Sequence, residues 1–216
     1  GAAARPRAPR RGRLYGAEVA EFEAIVRAGA ACIAQQGLPD VVIANAGVSI
    51  GMDTAVRGDL DVMARTFAIN NLGVPPPSHL FVAASAARAS DRLVGIGSVA
   101  AIRGLPGHGA YCASKAGVVA YCESLRGEMN ASGVKVVTLC PGYVDTPLTQ
   151  GNRYAMPFLL QPAEFADRAF RAIQAGTSYR VIPWQMGVVA KLMRMLPNPL
   201  FDRLFKGRGR KRRQGE

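Results

Sequence analysis

The stretch Ser98–Lys115, S-V-A-A-I-R-G-L-P-G-H-G-A-Y-C-A-S-K, governs how the rest of the chain is read. Tyr111 and Lys115 stand four residues apart, so on a helix they share one face, one turn apart. That spacing can set an ammonium beside a phenol, and a nearby positive charge lowers a phenol's ordinary value of about 10. Ser98 lies thirteen residues before Tyr111, at the end of the apolar run Leu93–Val94–Gly95–Ile96–Gly97. A strand ending there delivers a hydroxyl to the carboxyl edge of a parallel sheet, where open α/β sheets bind ligands.

Outward from this stretch, the same alternation repeats. Continuous apolar runs predict buried parallel strands over Asp40–Gly47, Arg92–Ser98, Val134–Cys140 and Tyr179–Pro183. Helical periodicity fills the intervals Val19–Gln36, Leu60–Asn70, Tyr111–Asn130 and Pro162–Ala175, with Ser132–Gly133 expected to close the third. Strand–helix alternation of this kind predicts a doubly wound α/β sheet. Pro75–Pro76–Pro77 is expected to break a helix near Gly73, with a restart at Ser78, because proline removes a donor and clashes within a helix.

At 216 residues the chain fits one domain with a substantial core. Its formal charge of +12 is concentrated at the two ends, and residues 14–205 carry 16 basic against 14 acidic groups. The basic ends are expected to be solvated and disordered rather than to bind nucleic acid, since no aromatic residue interleaves them. Cys32, Cys112, Cys122 and Cys140 form no C-x-x-C pair and suit small buried hydrophobes of a reducing compartment. His79 and His108 stand apart from any ligand-spaced cluster, so no metal site is expected. With no apolar signal core at the front, a cytoplasmic location is expected. Trp184–Phe205 is rich in Met, Leu and Phe but interrupted by Lys191, Arg194, Pro197 and Pro199. It fits either short helices that cap a pocket or an oligomer interface, or a segment lying on an anionic membrane surface.

The order Ser98, Tyr111, Lys115 resembles the short-chain dehydrogenase/reductase family. Four further segments follow that family's sequence. Asn45–Ala46–Gly47 resembles the N-A-G loop that packs against the cofactor, with Ala44 where an Asn usually precedes it. Asn70, opening N-N-L-G, resembles the N-x-x-G segment whose Asn holds a proton-relay water; Asn71 is its rival if the register shifts. Pro141–Gly142–Tyr143–Val144–Asp145–Thr146 resembles the P-G-x-x-x-T loop over the nicotinamide. Glu18–Val19 stands where the family has Asp-Val against the adenine. A Y-x-x-x-K alone is weak, but five matches in order are not.

The resemblance implies a Rossmann-like domain over residues 14–183, with 184–205 as apolar C-terminal helices, 1–13 as a basic front and 206–216 as a basic tail. It implies NAD or NADP as cofactor, and Ser98, Tyr111, Lys115 and Asn70 as the catalytic set. Glu18, Val19, Asn45, Ala46, Gly47, Tyr111, Lys115, Pro141, Gly142, Val144 and Thr146 are implied to bind the cofactor. The substrate would be a small alcohol or carbonyl compound, hydrophobic if Met156, Phe158, Leu159 and Leu160 wall it, and a homo-oligomer is open. The family's T-G-x-x-x-G-x-G turn is not found, and a first βαβ unit needs about thirty residues where seventeen precede Glu18. The sheet is therefore expected to lack that unit and to leave Val41–Ile43 at an apolar edge. Two readings follow: an NAD(P)-dependent oxidoreductase working by Ser/Tyr/Lys catalysis, or a truncated, non-catalytic remnant or binding module.

Overall fold

Four parallel strands form the centre of the computed structural model, which describes residues 12–86, 91–152, 154–207 and 209–215. They are β1 (Val41–Ala44), β2 (Arg92–Ile96), β3 (Lys135–Pro141) and β4 (Tyr179–Ile182), paired in sequence order. The register sets Leu93 beside Val136 and Val94 beside Val137. Successive residues point to opposite faces, and both faces are apolar. One face holds Leu93 and Val136 with Phe81, Val118, Cys122 and Leu125. The other holds Val94, Val137 and Leu139 with Ala169, Ala172 and Ile173.

Helices α1 (Phe22–Gln36), α3 (Pro75–Ala86) and α4 (Gly109–Glu128) supply the first layer, and α6 (Pro162–Gln174) the second. Gly95 is where α4 crosses β2, and a Cβ there would collide with the Cys122 sulfur. Helix α2 (Asp59–Phe67), the four-residue α5 (Pro147–Gln150), α7 (Trp184–Met195) and α8 (Asn198–Phe205) complete the set. This is the doubly wound α/β architecture that the alternating pattern implies. Among the described residues β1 pairs with β2 alone, and Ile43 is 50% exposed, an apolar edge as expected.

Three local expectations are corrected. Pro75, Pro76 and Pro77 open α3 rather than delaying it to Ser78. The first helical N–H groups have no acceptor within the helix, so proline costs little there. The predicted helix over Leu60–Asn70 turns into a π-helical segment at Ala68–Leu72. Helix α4 ends at Glu128, and Gly133, at φ +79°, serves the entry to β3 instead.

The largest correction concerns the basic tail. The front, residues 1–13, lies outside the described residues apart from Gly12 and Arg13, whose guanidinium donates to the Gln35 side chain. The tail docks on the domain. Arg213 grips the buried Asp59 carboxylate through two bonds, Nε to Oδ2 at 2.7 Å and Nη2 to Oδ1 at 3.2 Å. The Gly51 amide donates to the Arg212 carbonyl at 2.9 Å, and Arg210 lies 3.7 Å from Asp53. The hydrogen bond with Arg213 and a second from the Asp53 amide hold the Asp59 carboxyl below its usual range. A depressed carboxylate stabilises above its unfolded value and loses that contribution as pH falls through the folded one, so the latch is present at neutrality and weakens in acid. Replacing Arg213 with Ala is expected to speed tryptic cleavage at Lys211 and Arg212 by roughly tenfold, by opening the segment locally. Unchanged cleavage, followed by mass spectrometry, would mean that the ion pair does not hold the tail.

Helices α7 and α8 turn Met186, Gly187, Ala190 and Phe201 inward. Trp184, Val188, Leu192, Met195, Leu200 and Leu204 stay exposed. Among the described residues no helix is long and apolar enough to cross a membrane.

Candidate active site

The carboxyl ends of β2 and β3 open into a cavity of about 420 Å³. Ser98 reaches it because β2 stops at Ile96 and the extended chain enters a single 3₁₀ turn, Val99–Ala101. The Ser98 Oγ accepts the Ala100 amide at 3.1 Å, and its hydroxyl acts to lower the Tyr111 hydroxyl's proton affinity. Helix α4 begins at Gly109, which puts Tyr111 and Lys115 in its first two turns, facing the same space. The Lys115 Nζ lies 6.0 Å from the Tyr111 ring centroid and donates to the Ile96 carbonyl at 2.8 Å. Three residues from two elements thus meet in one cavity wall.

The electrostatics differ from the simple expectation of an ammonium pulling a phenol down. Burial raises the Tyr111 hydroxyl above its ordinary value, while the Ser98 hydroxyl opposes that rise. Desolvation also brings Lys115 down to about 8. The physical reason is shared: both groups have left water, and the ammonium is engaged by a backbone carbonyl rather than by the phenol oxygen.

Asn70 is fully buried beneath this pair. Its Oδ1 accepts the Val48 amide at 2.8 Å, and its Nδ2 donates to the Val48 carbonyl at 3.0 Å and to Ser114 Oγ at 2.9 Å. The side chain therefore ties the loop after β1 to α4, from a π-helical turn of the sort often found at functional sites. Asn71 instead donates to the Ser114 carbonyl at 2.8 Å. Gly47 closes the arrangement. A Cβ there would stand 3.3 Å from Lys115 Nζ and 3.4 Å from Asn70 Oδ1, so only glycine leaves these two polar groups an uncovered face.

Of the residues singled out in the sequence, Ser98, Tyr111, Lys115, Asn45, Gly47, Pro141, Gly142, Val144 and Thr146 line the cavity. Thr146 also opens α5, where its amide donates to Thr149 Oγ1 at 3.2 Å and its hydroxyl to the Val144 carbonyl at 3.4 Å. Ala46 flanks the lining residues, and Asn70 lies below them. Glu18 and Val19 are not brought in: the Glu18 carboxylate accepts the Ala20 amide at 3.3 Å, and Val19 packs against Gly73.

Other cavity residues carried no sequence signal of their own. His108, at the foot of α4, is buried and held neutral at pH 7, because desolvation and then the charge of Lys211 lower it to about 4. Its ring lies edge-on to Tyr154, 5.8 Å between centroids. Arg103 donates to the carbonyls of Met193, Arg194 and Leu196 and to Asn198 Oδ1, capping α7. Lys211 arrives from the docked tail.

The comparisons with known proteins give the family and the fold. The sequence pattern described as short chain dehydrogenase matches residues 6–156. An uncharacterized oxidoreductase of Myxococcus xanthus is 35% identical over 185 residues, 86% of this chain and 73% of the relative. Human short-chain dehydrogenase/reductase 3 is 30% identical over 173 residues, 78% of this chain; the chain spans only 57% of that relative's length. Among solved structures, 3-ketoacyl-(acyl-carrier-protein) reductase of Brucella melitensis, complexed with NADH, has a TM-score of 0.68 at 22% identity, covering 76% of this chain and 73% of that one. A short-chain dehydrogenase of Streptomyces avermitilis has a TM-score of 0.66 at 18% identity, covering 88% and 79%.

Proposed function

This chain belongs to the short-chain dehydrogenase family, and we propose that it is an NAD(P)-dependent oxidoreductase interconverting an alcohol and a carbonyl compound. The observation that carries this reading is that Ser98, Tyr111 and Lys115 line one cavity at the carboxyl ends of β2 and β3. In the reducing direction the Tyr111 hydroxyl gives its proton to the substrate oxygen. Its raised value keeps that proton in place at neutral pH. The Ser98 hydroxyl donates to the same oxygen as negative charge develops there. Asn70 positions the Asn45–Val48 loop and α4 around that point.

The uncovered space at Gly47, bordered by an ammonium and an amide oxygen, fits the hydroxyl groups of a nicotinamide ribose. Lys115 would exchange its bond with the Ile96 carbonyl for bonds to those hydroxyls. Asn45, Pro141, Gly142, Val144 and Thr146 would form the remaining walls around the nicotinamide end. When bound, the reduced nicotinamide supplies the hydride.

Titration with NADH and NADPH, followed by melting temperature, tests this. Binding at a hundred times Kd is expected to raise the midpoint by roughly 5–10 °C, since such an excess contributes about 2.7 kcal/mol. A folded chain with no shift for either cofactor would favour a non-catalytic binding module instead.

A further inference from the structure

The cavity holds a cation that the proposed chemistry does not use. Lys211 is half-buried and donates one hydrogen bond, from Nζ to the Leu148 carbonyl of α5 at 2.8 Å. An ammonium has three donors. Lys211 is also no loose surface lysine. Its neighbours Arg210, Arg212 and Arg213 are each engaged, at Asp53, at the Gly51 amide and at Asp59. The Arg210 stem packs against Gly107, next to the start of α4. The tail thus sets the ammonium on the side of the cavity formed by His108 and α5, apart from Lys115 at Gly47.

Among the described residues that line the cavity, Arg103, Lys115 and Lys211 are charged and none is an Asp or Glu. His108 is neutral at pH 7. Arg103 is committed to carbonyl oxygens and to the face of Phe201, 3.8 Å from the ring centroid. Desolvation already lowers Lys211 from its ordinary value. A cation withdrawn from water without a partner is costly, and an anion entering beside it relieves that cost. The cavity lining also offers apolar surface at Leu148, Phe165, Met186 and Met193.

We propose that Lys211 is a substrate-binding residue that selects carbonyl and alcohol compounds bearing an anionic group, a carboxylate being the simplest, on an apolar body. The proposal rests on the oxidoreductase reading above, and its test is read without turnover. Straight-chain oxo-acids of six to ten carbons and their neutral amides are titrated calorimetrically into the full chain, alone and with millimolar NADH or NADPH. The wild type is expected to bind at least one oxo-acid tenfold or more tighter than its amide, about 1.4 kcal/mol. Lys211→Gln is expected to bind acid and amide alike, and Lys211→Arg, which restores the cation, to recover the preference. The proposal is overturned if the wild type does not discriminate or binds neither ligand, if the preference survives K211Q, or if K211Q weakens cofactor binding and leaves the acid-to-amide ratio unchanged. If K211Q does not fold, K211R decides in its place, and loss of the preference there overturns the proposal. A wild type that discriminates but never reduces an oxo-acid contradicts the oxidoreductase reading and leaves the anion site standing.

Discussion

Tyr111→Phe is expected to lower kcat by about 10³-fold or more while leaving the chain folded, a loss in the range that general acid catalysis contributes. The substitution deletes one oxygen. The ring keeps its place in the first turn of α4, and Ser98 keeps the Ala100 amide at 3.1 Å. What would disappear is the proton that the substrate oxygen needs. The neutral His108, although in the same cavity, has a value near 4 and lacks the acidic imidazolium proton at pH 7. Water is a poorer substitute, being a weaker acid and not held at the reacting oxygen. Circular dichroism melting and cofactor titration should match the wild type. Retained turnover would remove Tyr111 from the acid–base role.

The second large effect is expected at Lys115, and it has a pH signature. Desolvation brings the ammonium to about 8, whereas Tyr111 is raised and stays protonated through the same range. On the proposed mechanism the charged form of Lys115 would orient the ribose and stabilise negative charge near the substrate oxygen. In the reducing direction kcat/KM should therefore be flat below about pH 7 and fall on a limb centred near 8, the free-enzyme value. Lys115→Met should lower kcat/KM by about 10²–10³-fold, the cost of losing one electrostatic stabiliser, and abolish that limb. Stability moves the other way. Between about 8 and the ordinary lysine value near 10.5 the unfolded chain binds a proton that the native chain does not. The wild type should gain stability as pH rises through that window. A limb that persists in the Met variant would assign it to another group.

The strands and long helices were legible because their signals are local. Leu93–Ile96 and Val136–Cys140 are apolar on both faces, as a strand between two helical layers must be, and the spacing of Val118, Cys122 and Leu125 marks the buried side of α4. The Ser98, Tyr111 and Lys115 arrangement was legible for the same reason, since one strand end and one helix face fix it. Other features depend on partners distant in sequence. The π-helical turn at Asn70 is clasped by Val48 and Ser114 from two other elements. The tail is held by Asp59 and Asp53, so a basic run that reads as solvated brings Lys211 into the cavity wall. The direction of the Tyr111 shift is not legible in the sequence, because spacing gives the ammonium's position on the helix but not the burial that outweighs it.

The most direct measurement of the central claim is transfer of deuterium from the nicotinamide C4 of labelled NADH or NADPH to a panel of aldehydes and ketones, read by mass spectrometry of the alcohols. The wild type should place one deuterium on the carbinol carbon of at least one substrate, and Tyr111→Phe should place none above background. Labelled alcohol formed equally by both proteins, or by neither, would contradict a Ser98–Tyr111–Lys115 oxidoreductase.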